Sequence, residues 1–372
     1  MRNKVMRGSN LFLLFILTLI FIFFSQALWA TQFHKDNVVT ETLFSHTKPQ
    51  CIGRYLIDVP ESFENQLRNM IFIDDFKIES RPQYLPAFKQ MLTRRQEALK
   101  IEGERPDNTA DSFPFIKEII PLDNANGVII DHNISGEDDF ERILETYVNI
   151  NGVTFFISTK ILDLTAQKYA ERKAKYLKAG FSELQVNEKP TKLLALRLLI
   201  SRLSGRKDND IPIGNGICIP HGFIADDGKV HEEKISFSYK NDDFIFNLFT
   251  DNTEKGSSDT LFSRSADIEE ALALYGYKHS ISKKAFSPGG IPVQQWLFGG
   301  KRSVNREMEA RKEQVPVYDF KLYANEEIAT PQKPWLSMGL NSEYQNTRYS
   351  EAEMIAIWDR LVGSLRYRPG AF

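Results

Sequence analysis

The sequence lacks the short patterns by which most hydrolases, metalloenzymes and nucleotide-binding proteins are recognised. No G-x-S-x-G nucleophile elbow occurs, and the nearest serines, Ser287 and Ser364, fall in an expected turn and near the end of an expected helix. H-E-x-x-H and C-x-x-C are absent, and Gly299-Gly300-Lys301 does not have Walker spacing. His221 and His231 flank an expected turn, where surface polar residues are a simpler account than a metal site. We therefore predict no catalytic residue, no metal ligand and no cofactor.

A strong excess of one charge is also missing. The chain has 47 lysines and arginines against 49 aspartates and glutamates, a formal net charge of −2. A nucleic-acid-binding protein normally carries a clear basic excess, because phosphate contacts dominate its affinity. We therefore expect no nucleic acid, and no anionic membrane surface, as the main partner.

Long apolar runs are absent except for one near the N-terminus. Arg2, Lys4 and Arg7 precede an almost unbroken apolar run, Leu11 to Phe24, and Ser25-Gln26-Ala27 supplies small residues after it. This order predicts a signal peptide over residues 1–27. The run spans about 21 Å as a helix, short for a bilayer core of about 30 Å, although an uncleaved anchor is the alternative. We expect a periplasmic protein without stable membrane insertion after cleavage, and a disordered lead-in at 28–46.

Cysteine is scarce. Only Cys51 and Cys218 occur, and in an oxidising compartment two such cysteines are expected to pair. Two unrelated buried thiols are the alternative. The sequence therefore favours, without deciding, one long-range disulfide.

The residue pattern predicts two α+β domains with mainly antiparallel sheets and flanking helices. Alternation and turn residues indicate strands, and apolar spacing indicates helices. The polar stretch Ser204 to Asp210 separates an N-terminal domain, 47–207, from a C-terminal domain, 208–372. Expected strands are Cys51–Pro60, the two arms flanking Asn151-Gly152, and Gly216–Ile224, Lys234–Lys240, Phe244–Thr250, Val293–Phe298, Glu307–Lys312 and Val315–Leu322. Expected helices begin near Pro86 and cover Thr165–Lys178, Lys192–Leu203, Asp267–Tyr275 and a segment capped by Ser350 and Glu353.

Charge is segregated along the N-terminal domain. The charged residues at 104–145 are mostly acidic, and those at 165–207 are mostly basic. The two segments can neutralise one another within the domain, or they can form a charged surface that steers a protein partner. In the second case Glu137, Asp138 and Asp139 are possible partner-facing residues.

Several ordered motifs resemble one known family. They are Cys51-Ile52-Gly53-Arg54-Tyr55-Leu56-Ile57-Asp58-Val59-Pro60, Gly216-Ile217-Cys218-Ile219-Pro220-His221-Gly222-Phe223-Ile224, Leu261-Phe262-Ser263-Arg264, Trp358-Asp359-Arg360 and Ser364-Leu365-Arg366-Tyr367-Arg368-Pro369-Gly370. From about residue 48 to the end, the chain resembles the periplasmic immunity proteins against type VI secretion phospholipase effectors, specifically the cognate immunity family of the fourth lipase group.

The resemblance implies a two-domain α+β clamp that grips a phospholipase toxin of α/β-hydrolase type and prevents its lid from opening. It implies no catalytic residues, and its motifs do not mark the residues that contact the toxin. It places each cysteine near the start of one domain, where the two suit a disulfide bridge between the domains. The alternatives are a periplasmic hydrolase with an unrecognised active site, and an envelope solute-binding or structural protein.

Overall fold

The computed structural model describes residues 38–65, 70–122, 126–276, 278–305, 312–343, 345 and 347–372. The predicted signal peptide, 1–27, lies outside the described residues, as does most of the strand expected at Glu307–Lys312. Below, residues 38–207 are called the N-terminal half and residues 208–372 the C-terminal half.

Strands provide most of the regular structure. Those of the N-terminal half are β1 Thr47–Ile52, β2 Tyr55–Pro60, β3 Glu64–Asn65, β4 Ile71–Ile73, β5 Phe76–Pro82, β6 Ile116–Pro121, β7 Asn126–Asn133, β8 Glu141–Ile150, β9 Val153–Leu162 and β10 Leu203–Gly205. Those of the C-terminal half are β11 Gly216–Ile219, β12 Gly222–Ala225, β13 Glu233–Lys240, β14 Ile245–Asp251, β15 Lys278–Phe286, β16 Val293–Asn305, β17 Lys312–Ala324, β18 Trp335–Asn341 and β19 Arg366–Tyr367.

The α-helices are α1 Leu85–Gly103, α2 Ala170–Lys178, α3 Lys189–Arg202, α4 Ser265–Tyr275 and α5 Glu351–Gly363. Pro86 lies in the first turn of α1, as its fixed φ favours. The capping box expected at the start of α5 is present, because the Ser350 and Glu353 side chains each bond the other residue's backbone N–H. The helix expected from Thr165 begins instead as a 3₁₀ turn, Gln167–Tyr169.

Two segments expected to be single strands are hairpins. Cys51–Pro60 belongs to β1 and β2, which are joined by a tight turn at Gly53 and Arg54. Gly53 has φ +56°, and a Cβ there would lie 2.9 Å from Cγ2 of Thr250. Gly216–Ile224 is likewise divided into β11 and β12, with His221 at φ +53°. Each turn, Gly53-Arg54 and Pro220-His221, interrupts the apolar residues for only two positions, so the two arms resemble one strand in the sequence. The Asn151-Gly152 hairpin is confirmed, with both residues at positive φ.

One antiparallel sheet crosses both halves. Its strand order is β15-β16-β17-β18-β14-β13-β4-β5-β9-β8-β7-β6, and β4 joins β13 through pairs such as Phe72 with Lys234. We expected one sheet per domain. The α+β class and the antiparallel pairing hold, but the strands of the two halves meet edge to edge. Two small sheets, β1-β2-β19 and β10-β12-β11, also combine strands from both halves.

The large sheet is covered on both faces in the N-terminal half. Phe88 and Leu99 of α1 pack with Tyr147 on one face. Leu196 and Leu199 of α3 belong to the main core on the other face. Because neighbouring residues of a strand point to opposite faces, β8 contributes to both layers.

The lead-in expected to be disordered at 28–46 is ordered where the structure describes it. Residues 38–43 are helical, and Phe44 is buried in the main core. Glu41 pairs with Arg360 of α5, with 2.5 Å between Oε1 and Nη1. A single buried aromatic residue anchors this segment, and so short a polar stretch carries no periodic signal of it.

Candidate functional site

The two cysteines are joined. Cys51 in β1 and Cys218 in β11 have Cα atoms 5.6 Å apart and form a disulfide between residues 167 positions apart in the chain. Both are fully buried beside Leu56 and Phe223. Backbone hydrogen bonds between Gly53 and Cys218, each 2.9 Å, run alongside the bridge. The expected pairing is therefore confirmed, and it joins the two halves where each begins.

A buried charge cluster lies next to the disulfide. Arg54, in the β1–β2 turn, is 7% exposed, and its guanidinium donates to Glu233 at 2.7 Å and to Asp226 at 3.1 Å. It also donates to the backbone carbonyl of Ala371, which ties the C-terminal segment to the first hairpin. Burial lowers the pKa of Arg54, but the hydrogen bond and charge of Asp226 and the charge of Glu233 outweigh burial, so the pKa is raised. These charged residues are far apart in the chain, so no sequence pattern predicts that they form a cluster.

Glu233 is the buried carboxyl group that faces Arg54. Burial raises its pKa to about 7, even though Arg54 favours the ionised form. Its backbone N–H donates to Asn252 Oδ1 at 2.7 Å. Next to it, His231 bridges Asp74 of the N-terminal half, at 2.9 Å, and Asp227 of the C-terminal half, at 3.1 Å.

Two further arginines hold loops through backbone carbonyls, Arg206 in both halves and Arg368 within the C-terminal half. Arg206 donates to the carbonyl oxygens of Gly222 at 2.9 Å, Ile219 at 3.2 Å and Cys51 at 3.3 Å. Arg368 donates to the carbonyl of Gly216 at 2.8 Å. Burial lowers the pKa of both side chains. We call the set formed by Cys51–Cys218, Arg54, Glu233, Arg206 and Arg368 the junction.

The acidic cluster, Glu137, Asp138 and Asp139, lies just before β8, and its members differ. Asp139 is buried and bonds Lys117 and Lys168, each at 2.7 Å, as well as the Tyr169 hydroxyl. Burial would raise its pKa, but these partners, Lys117 first, lower it to about 2. The Asp139 carboxylate is therefore used within the N-terminal half, and its role towards a partner stays a prediction.

Asp138 and Glu137 are the exposed members. The Asp138 side chain is 55% exposed and lies 3.5 Å from Arg172 of α2. Glu137 is exposed in the same turn. Elsewhere the acidic and basic segments also pair, since Lys189 contacts Glu118 and Asp131 at 2.7 Å each. Mutual neutralisation therefore accounts for much of the segregated charge.

The serines nearest to a nucleophile motif have ordinary surroundings. Ser364 Oγ donates to the Leu361 carbonyl at 2.7 Å and accepts the Asp58 N–H at 2.9 Å, which fixes the end of α5 against β2. Ser287 precedes a short 3₁₀ turn. Within the described ranges, no three His, Cys, Asp or Glu side chains are placed to hold a metal ion. Of the helices described, none is both long and apolar enough to cross a membrane.

Family models cover both halves in order. The model for the Tle cognate immunity protein 4 N-terminal domain matches residues 48–206, and the model for the C-terminal domain matches residues 210–370. The chain belongs to this family. The motifs shared with it are structural here: two supply the disulfide and Arg54, and Trp358 is buried and donates to Gln295 at 3.0 Å.

Solved structures have the same fold as this family member. The apo immunity protein TplEi of the type VI secretion system of Pseudomonas aeruginosa matches with a TM-score of 0.64 and 17% identity, over 87% of this chain and 97% of that one. A Tle4–Tli4 complex matches with a TM-score of 0.63 and 17% identity, over 87% and 98%. TplEi bound to an "L" peptide matches with a TM-score of 0.57 and 17% identity, over 87% of this chain and 98% of that one. No curated protein matches the chain.

Proposed function

We propose that this protein is a periplasmic immunity protein that binds a cognate type VI secretion phospholipase effector and inhibits it by stoichiometric contact. The observation that carries the proposal is the ordered match of both immunity-protein domains over nearly the whole chain. The Tle4–Tli4 complex supports the partner class, because it joins a member of this fold to its effector.

The inhibitor acts as a clamp of two domains, 47–207 and 208–372, on an α/β-hydrolase toxin, and it holds the toxin's lid closed over the active site. Such a mechanism needs a preorganised surface rather than a nucleophile, because rigidity reduces the entropy lost on binding. The junction supports this by fixing one half to the other through a disulfide, the side chains of Arg54 and Arg206, and a shared sheet.

The place of action is the periplasm. The leader of basic, apolar and small residues and the long-range disulfide both favour an exported protein. N-terminal sequencing of the exported chain tests the leader, and we expect a start near Leu28. A full-length product in the membrane fraction would mean that the apolar run is an anchor.

The decisive experiment titrates a cognate phospholipase, encoded beside this gene, with the purified protein while lipid hydrolysis is measured. We expect activity to fall to background at one equivalent, and no lipid turnover by the protein alone. Full lipase activity with excess inhibitor would refute the immunity role. Lipid turnover by the protein itself would favour the alternative of a hydrolase.

A further inference from the structure

The outer side of α3 is apolar although it faces solvent. Leu196 and Leu199 pack into the main core, whereas Leu194 and Leu198 are 61% and 45% exposed. Residues four apart lie on the same face of a helix, so these two leucines form one exposed ridge. Arg197, also exposed, lies beside them.

The loop between α2 and α3 exposes two more large apolar side chains, Phe181 at 43% and Leu184 at 69%. The loop returns to the end of β9, where Leu164 N–H donates to the Val186 carbonyl and Glu188 N–H donates to the Leu162 carbonyl, each at 2.9 Å. Because α3 begins at the next residue, the loop and the first turns of α3 are neighbours.

Exposed cations accompany these apolar groups. Tyr176 and Leu177 of α2 pack inward, so Lys175 and Lys178 lie on its outer side. The acids of the same segment are few: Glu183 pairs with Lys173 at 2.7 Å, and Glu171 is exposed. We call Lys175, Lys178, Phe181, Leu184, Leu194, Arg197 and Leu198 the basic–apolar surface.

Most other cations of the basic segment bind acids. The pairs are Lys168 with Asp139, Arg172 with Asp138, Lys189 with Glu118 and Asp131, Lys192 with Asp75, and Arg202 with Asp227. The cations of the basic segment thus form two groups. One group neutralises carboxylates, and the other places positive charge among exposed apolar side chains. The net charge of −2 conceals this division.

We propose that the basic–apolar surface adsorbs the protein to the anionic headgroups of a phospholipid bilayer. Lysine is depleted in protein–protein interfaces, whereas Lys and Arg beside Leu and Phe are typical of helices that lie on a membrane surface. Anionic lipids attract the cations, and the four apolar side chains enter the boundary between headgroups and acyl chains. The contact is peripheral, and it is independent of the proposed lipase inhibition.

The test is sedimentation of the exported protein with vesicles of phosphatidylglycerol and phosphatidylcholine in equal amounts, and with vesicles of phosphatidylcholine alone. We expect binding to the anionic vesicles that weakens as salt rises. Lys175→Glu/Lys178→Glu and Leu194→Glu/Leu198→Glu should each reduce the partition coefficient at least about tenfold. Glutamate and leucine have similar helix propensities, so the exposed leucine sites tolerate the change.

The matched controls lie on other exposed sites, Lys255→Glu/Lys333→Glu and Ile213→Glu/Leu274→Glu, and should bind vesicles like the wild type. Lipase inhibition should be unchanged in all four variants. Three results would overturn the proposal: no sedimentation of the wild type with anionic vesicles, equal binding to both kinds of vesicle, or equal losses in variants and controls. If the wild type does not sediment and the surface variants also fail to capture the lipase, this surface binds the lipase instead.

Discussion

The junction and the acidic cluster both concentrate charge, but they hold it differently. At the junction Arg54 is buried against Glu233, Arg206 is held by backbone carbonyls from loops of both halves, and Arg368 is held by backbone carbonyls of the C-terminal half. In the acidic cluster, carboxylates pair with flexible lysine and arginine side chains, and two of the three carboxylates remain in water.

Burial decides which of these charges contribute to stability. A buried charge that loses its partner keeps the full desolvation cost, whereas an exposed pair contributes little because water and salt replace the partner. Changes at the junction should therefore alter stability, and changes at Glu137 and Asp138 should alter encounter with a partner.

The largest effect is expected from Cys51→Ser. The chain-entropy model gives a loss of about 5 kcal/mol in the free energy of unfolding for a loop of this length, as an upper figure. Denaturant unfolding of the oxidised proteins measures it, and Cys51→Ala/Cys218→Ala controls for the lone thiol. Lipase inhibition should persist at temperatures where the variant is folded. A variant as stable as the wild type would show that the disulfide does not stabilise the junction.

Arg54→Met should have the next largest effect. We expect it to lower the free energy of unfolding by about 3 kcal/mol, because Glu233 and Asp226 would lose the buried cation that pairs with them. The comparison is Arg172→Met, which removes an exposed pair with Asp138 and should cost less than about 1 kcal/mol. The same unfolding experiment measures both. Equal losses would mean that burial does not separate the two regions.

Glu233 should give the junction a pH dependence. Its pKa is about 7 in the folded state against an ordinary value of 4.5, so the folded state binds the proton more tightly. The stability from this group is therefore fully present below about pH 4.5 and is lost as pH rises to about 7, by up to about 3 kcal/mol. Glu233→Gln should flatten this part of the stability curve. An unchanged slope would assign the titration to another group.

Asp139 should give the opposite slope. Its pKa is lowered from 3.8 to about 2 in the folded state. Its contribution to the free energy of unfolding is therefore present above pH 3.8 and is lost as pH falls towards 2. We expect Asp139→Asn to cost about 1–2 kcal/mol at neutral pH and almost nothing near pH 2. Asp138→Asn is the matched control, since its carboxylate is mostly exposed. A larger cost for Asp138→Asn would reverse the assignment of buried and exposed members.

Local features of this fold were predictable, and pairings between distant segments were not. The capping box of α5 and the Asn151-Gly152 turn depend on neighbours in the chain, so short patterns predict them. The β4–β13 join and the Arg54–Glu233 pair depend on segments more than 150 residues apart. A single sequence carries no signal of which strand edges meet or which charges become buried together.

The acidic cluster shows the same limit at the candidate site. Glu137, Asp138 and Asp139 are consecutive acids, and composition treats them alike. Their roles separate only because the turn before β8 directs Asp139 towards Lys117 and Lys168 and leaves the other two in solvent. The disulfide was easier to predict, because the chain offers a single possible pair of cysteines.

The smallest effect is kinetic and belongs to the exposed acids. Glu137→Lys/Asp138→Lys should slow association with the phospholipase at low salt, because rim charges steer encounter, and should leave dissociation and stability nearly unchanged. At physiological salt the Debye length is about 8 Å, so screening should reduce the difference in association rate between variant and wild type. Stopped-flow or surface-binding kinetics at two salt concentrations measures it.

The matched control is Glu269→Lys/Glu270→Lys on α4, which reverses two exposed acids of the C-terminal half. If both pairs slow association equally, the effect comes from total charge and not from the acidic cluster. If neither does, the cluster has no steering role, and Asp138 serves only to orient Arg172 over the Phe140 ring, 4.3 Å from its centroid. A slower association confined to Glu137→Lys/Asp138→Lys would place the incoming lipase on the N-terminal half, beside the turn that precedes β8.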